Sequence, residues 1–154
     1  DNLFKIDFIF FLSLMIIDET DNTDYFLYKF NLSKKDQKRL KLIDNFYKEK
    51  VKITKLTEKK LNKIFYFNGK QAVIDIINFK LFTSNKVEKR LIQLIKVYQD
   101  KLIPTMPIEA NMLMTKYNIP QGKTLGNKLK LIEEIWVNNS FNISDKQVQK
   151  IVKG

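Results

Sequence analysis

Apolar residues recur along this chain three and four positions apart, the spacing of helices buried by one face. The run Phe8 to Ile17, FIFFLSLMII, is apolar nearly all round and predicts a central helix from about Leu3 to Asp18. A short helix over Thr23 to Phe30 follows a polar turn. Leu40, Leu42, Ile43, Phe46 and Tyr47 form the next stripe, opened by Ser33 with Asp36 at capping-box spacing. Thr57 is a cap for a helix to Phe67 that buries Leu61, Ile64 and Phe65, and Gly69 suits the left-handed position ending it. Lys70 to Phe82 is apolar through Ala72, Val73, Ile76, Ile77 and Phe79. Ser84 opens a helix to about Leu102, stopped by Pro104. Pro107 to Lys116, Lys123 to Asn138 and a last segment opened by Ser144-Asp145 complete the pattern. Phe65-Tyr66-Phe67 has β propensity but sits inside a helical period, and nothing else reads as strand. With 4 Gly, 3 Pro and no linker-like stretch, the expectation is an all-α, compact domain of about eight helices without a sheet, residues 1–154 forming one region.

Composition narrows the chemistry. The 154 residues are 44% hydrophobic, enough for a sizeable core. Cys is absent, which removes disulfides, Cys-ligated zinc, iron–sulfur clusters and thiol nucleophiles. His is absent too, which removes Ser–His triads, His–metal sites and the usual general base near neutral pH. The ten-residue apolar run is half the length of a membrane span, and its acidic flanks do not suit a signal peptide. The chain begins with Asp rather than Met, and the expectation is a fragment or a trimmed form of a longer protein.

The net charge is +11, an attraction to polyanions. All but two of the 28 basic residues are Lys, and Asn and Ile are abundant, so A/T-rich codon usage accounts for part of the excess. Codon usage does not explain its placement. Residues 1–33 carry a net −4, residues 34–101 a net +12 and residues 102–154 a net +3. In the helix after Ser33, Lys34, Lys38, Lys41, Lys48 and Lys52 fall three, four or seven apart on one face, with no acid among them. Such a stripe is ordinarily a solvated face; without acids it becomes a candidate for nucleic-acid backbone contact.

Other motifs are weaker. Gly122-Lys123-Thr124 ends like a phosphate-binding P-loop, but Tyr117 stands where that motif needs its first Gly. Two readings of the turn stand side by side. Its free N–H groups, with Lys123 and Lys128 nearby, can hold a phosphate, or Gly122 and Gly126 allow close packing on a neighbouring helix. Glu133-Glu134 diverge on a helix and read as a solvated face rather than a metal pair, and Trp136 reads as core.

The last third carries an ordered series: Pro107-Ile-Glu-Ala-Asn-Met-Leu-Met, Gln121-Gly-Lys-Thr-Leu-Gly126, Lys130-Leu-Ile-Glu-Glu-Ile-Trp136 and Phe141-Asn-Ile-Ser144. It resembles the C-terminal region of bacterial class II CCA-adding tRNA nucleotidyltransferases and related poly(A) polymerases, of the alphaproteobacterial type. Leu32-Ser33 and Phe67-Asn-Gly69 resemble earlier steps of the same pattern, which spans most of residues 3–150. The resemblance implies a helical body and tail that grip tRNA. The parent transferase would use Mg²⁺, CTP and ATP in an N-terminal catalytic head and neck. That head's Gly-Ser signature and paired catalytic Asp are missing from these residues.

The expectation is therefore a non-catalytic, cytoplasmic RNA-binding region for tRNA processing. It needs no cofactor of its own and binds tRNA by backbone and shape. Lys34, Lys38, Lys41, Lys48 and Lys52 are the candidate contacts, with Lys123, Lys128 and the Gly122–Gly126 turn. The alternative is a helical protein–protein module, docking a separate catalytic chain through the Phe4, Phe8 and Phe11 side of the first helix.

Overall fold

Asp7 stands at the head of the apolar run and accepts a hydrogen bond from the Phe10 N–H at 2.9 Å, capping the first helix, α1 (Phe8–Ile16). The computed structural model describes residues 7–18, 20–50, 56–85 and 88–154, with only the backbone of Lys50. Among these, eight more helices follow: α2 (Asn22–Lys29), α3 (Lys34–Lys50), α4 (Glu58–Asn68), α5 (Lys70–Phe82), α6 (Lys89–Asp100), α7 (Ala110–Tyr117), α8 (Lys123–Asn138) and α9 (Asp145–Lys153). No strand forms among the described residues, so the protein is all-α.

The starts of these helices follow from their polar residues. The Lys60 N–H donates to Thr57 Oγ1 at 3.3 Å. Ser33 takes the Asp36 N–H on its hydroxyl oxygen at 3.2 Å and donates that hydroxyl to the Asp36 carboxylate at 2.6 Å. Ser144 and Gln147 form a complete capping box. Two starts differ from the periodicity. The helix α7 begins at Ala110 rather than Pro107, because Ile108 is drawn into the core beside Met106 and Glu109 stays extended. Glu88, rather than Ser84, stands at the N-cap position of α6, with no side-chain capping bond. The first turn expected for the first helix, Leu3 to Ile6, lies outside the described residues.

The chain divides into two compact units where the sequence reads as one region. Unit 1 joins Asp1–Leu56 to Asn68–Lys101; unit 2 joins Thr57–Phe67 to Leu102–Gly154. In unit 1, Phe10, Leu12, Ile16 and Ile17 of the first segment bury with Leu40 and Ile43 of α3 and Phe79 of α5. The contacts run α1 on α2, α3 and α5, then α5 on α6. The first helix is not covered all round: Phe8, Phe11 and Met15 are 70%, 53% and 68% exposed. These three lie on one side, at i, i+3 and i+7, and α1 packs by the other.

In unit 2, Leu113, Leu125, Ile132 and Val148 centre the core of α7, α8 and α9. Beside it stands an aromatic group of Tyr66, Trp136 and Phe141, with Tyr66 edge-on to Trp136 at 5.3 Å. Trp136 is buried, as its place on the apolar stripe predicts. Ser140 and Phe141 both take positive φ, 55° and 67°, so the chain reverses sharply after α8. The Phe141 N–H then donates to the Trp136 carbonyl at 2.8 Å.

One polar contact crosses the unit 1 core. Asp75 sits in the middle of apolar α5 with its side chain 2% exposed. Arg39 of α3 donates to both carboxylate oxygens of Asp75, through Nε and through Nη2 at 2.7 Å. A third N–H, on Nη1, reaches Asp7 at 2.6 Å. Gln71 adds a donor to Asp75 at 2.9 Å. One guanidinium thus ties α3 to α5 and to the start of α1. Burial alone would lower the Arg39 pKa, but its bonds to Asp75 and Asp7 outweigh that and raise it. Replacing Arg39 with Met leaves Asp75 buried and unpaired. Arg39→Met should cost about 3–5 kcal/mol in urea unfolding, and Arg39→Met with Asp75→Leu should recover most of that loss.

Candidate nucleic-acid interface

The exposed face of α3 follows from its own sequence. Leu40, Ile43 and Phe46 turn inward, so Lys34, Lys35, Lys38 and Lys41 turn out. Two hollows adjoin along this face. The inner one, of about 440 Å³, is bordered by Lys35, Lys38 and Arg39 of α3, by Gln71 and Ala72 of α5, and by Asp7, Leu42 and Asn68. A more open one, of about 360 Å³, continues past Lys38, Leu42 and Asn68 to Lys34, Gln37, Lys41 and Asn45. Four Lys thus border the two hollows, and the one carboxylate among the bordering residues, Asp7, is already paired with Arg39. Burial raises the Asp7 pKa, but the bonds from Arg39 and the Phe10 N–H and the guanidinium charge more than reverse this. Asp7 therefore stays ionised below the ordinary carboxylate range.

The Lys residues singled out in the sequence do not all share this face. Lys34 and Lys38 stand open to solvent beside the hollows. Lys41 lies 3.6 Å from Asp24, both side chains exposed, a pair worth about 0–1 kcal/mol and easily exchanged for a phosphate. Lys48 is committed elsewhere. Its ammonium lies 2.9 Å from buried Asp44, one turn back, and that hydrogen bond raises its pKa. Lys52 lies outside the described residues. Spacing puts Lys48 on the stripe, but buried Asp44 needs a partner and takes its ammonium.

The residues around the Gly122 turn belong to unit 2. Gly122 has φ 144°, a conformation open to Gly, and leads into α8 without a side-chain cap. The close-packing reading of the two glycines does not hold, because a Cβ at Gly122 or Gly126 would meet nothing within 4 Å. Lys123 is exposed at this turn. Lys128 instead donates to the carbonyls of Ile151 and Val152 at 2.9 and 2.8 Å, closing the end of α9.

Several residues at these sites escape the sequence pattern. Lys35 lies one position off the stripe, yet it borders the inner hollow. Arg39 is one of only two Arg among the basic residues, and Asp75 is the lone acid of an apolar helix. Those two oddities are the signal for their pairing. Asn68 and Gln71 carry no such mark. Glu133, expected on a solvated face, accepts a hydrogen bond from the Tyr66 hydroxyl at 2.7 Å. Among the described residues no group of acids could hold a metal ion, and no helix is long and apolar enough to cross a membrane. Comparisons with protein-family models, curated proteins and solved structures find no match.

Burial, then the bond to Glu133 and its charge, push the Tyr66 pKa up to about 12. A raised folded-state pKa means the contribution is whole below pH 10 and is lost as pH rises from 10 through 12. Unfolding curves of the wild type and Tyr66→Phe should therefore converge across that window, and an unchanging gap would show that the phenol is not held up to about pH 12 by its burial and by Glu133.

Proposed function

We propose that this chain binds RNA along the α3 face of unit 1, by contacts to the phosphate backbone. The observation carrying this reading is the row of Lys34, Lys35, Lys38 and Lys41 beside two adjoining hollows whose bordering carboxylate is already paired. Lys is a flexible point charge that suits backbone phosphate better than base edges. The choice of tRNA, and with it a cytoplasmic place in tRNA processing, comes from the resemblance to the body and tail of CCA-adding enzymes and poly(A) polymerases. A separate nucleotidyltransferase chain or domain would then supply the catalysis, with its own Mg²⁺, CTP and ATP.

The second reading is a protein-docking module, favoured by Phe8, Phe11 and Met15 exposed in a row on α1. The two separate in a salt series with uncharged tRNA and duplex DNA. Lys34→Gln, Lys38→Gln and Lys41→Gln together should lower the log–log salt slope of tRNA binding by roughly 2–3, at about 0.7–0.9 per lost phosphate contact. Lys48→Gln should leave the slope unchanged, because that ammonium serves Asp44. An unchanged slope in the triple variant removes α3 from the interface, and no tRNA binding at all favours the protein-docking reading.

A further inference from the structure

The inner hollow holds more than positive charge. Its volume of about 440 Å³ is in the range of sites for small organic ligands and exceeds what one phosphate needs. Leu42 and Ala72 give it an apolar patch. Arg39 borders it too, its planar guanidinium held in place by Asp75 and Asp7. Guanidinium planes are surfaces on which unpaired bases stack. Two amides complete the border. The side-chain amide of Asn68 makes no hydrogen bond among the described residues, and Gln71 spends a side-chain N–H on Asp75 while its side-chain oxygen remains available. An amide supplies both donor and acceptor, the pairing that base edges present. Lys35 and Lys38 stand at the same hollow.

We infer that the inner hollow seats one unpaired nucleotide of the bound RNA. Its base lies on the Arg39 guanidinium and against Leu42 and Ala72, Asn68 and Gln71 meet its edge, and Lys35 and Lys38 hold its phosphate. The inference rests on the α3 face being an RNA surface and adds what that surface selects: RNA with a looped-out or single-stranded nucleotide over a continuous duplex. Backbone contact by Lys alone predicts no such preference.

The test uses the whole chain and the four ribonucleoside 5′-monophosphates, with ribose 5-phosphate and inorganic phosphate as controls, followed by NMR. At least one monophosphate should bind about tenfold or more tighter than ribose 5-phosphate, the share expected of a stacked base. It should shift the methyl signals of Leu42 and Ala72, and Asn68→Ala should weaken it while leaving ribose 5-phosphate binding unchanged. Asn68 is exposed at the end of α4, so this variant keeps the fold. Leu42→Ala, at a half-buried position bordering the hollow, is the second variant and should weaken the base-dependent gain. Equal binding of monophosphate, ribose 5-phosphate and phosphate overturns the nucleotide pocket, and so does unshifted Leu42 and Ala72. If tRNA binding keeps its α3-dependent salt slope while the monophosphates fail, the RNA surface stands and the pocket falls. If the monophosphates bind as expected while tRNA does not, the pocket stands as a nucleotide site and the RNA surface falls.

Discussion

A buried carboxylate in the middle of an apolar helix is the constraint that organises unit 1. Buried Asp75 needs its carboxylate oxygens hydrogen-bonded, and Arg39 is the residue that reaches both of them. Arg suits this place better than Lys would, because its planar fork meets both carboxylate oxygens and leaves N–H groups for Asp7. The pair fixes the register of α3 against α5, and through Asp7 it fixes where α1 begins. Replacing such a pair with well-packed apolar residues is often neutral, so its presence speaks for geometry more than for net stability.

That geometry decides what the surface above it presents. Holding α3 with Leu40 and Ile43 inward leaves Lys34, Lys35, Lys38 and Lys41 outward beside the two hollows. The acidic start of the chain could have cancelled this charge. Instead Asp7 is engaged by the same guanidinium, and Asp24 lies 3.6 Å from Lys41 at the surface. Asp7 thus serves structure, and Lys34, Lys35 and Lys38 stay open to solvent.

Much of this was legible in the sequence. Helical period, caps at Ser33, Thr57 and Ser144 and the turn at Gly69 lie in local residue chemistry, and the structure follows them closely. The extent of α7 was not legible, because burial of Ile108 overrode the preference of Pro107 for a helix start. Lys48 and Lys128 show why a charge stripe overstates an interface: each had a nearby partner, Asp44 or the end of α9, that spacing alone does not reveal. The inner hollow was the least legible feature. It brings Asp7, Lys35 and Gln71 together from three separate segments, and no local pattern encodes such a meeting.

The two-unit division, finally, bears on how the chain is made. Synthesis is vectorial, but neither unit is a continuous stretch. Phe10, Leu40 and Ile43 emerge from the ribosome before Phe79 of α5 exists to cover them. The helix α4 meets the longer delay, since Tyr66 is made 67 residues before Glu133, its hydrogen-bond partner. At about 5–20 residues per second, that interval is on the order of several seconds. Until α7, α8 and α9 follow, Phe65 and Tyr66 lack the other helices of their unit, and a nascent-chain chaperone has its clearest opportunity on that segment.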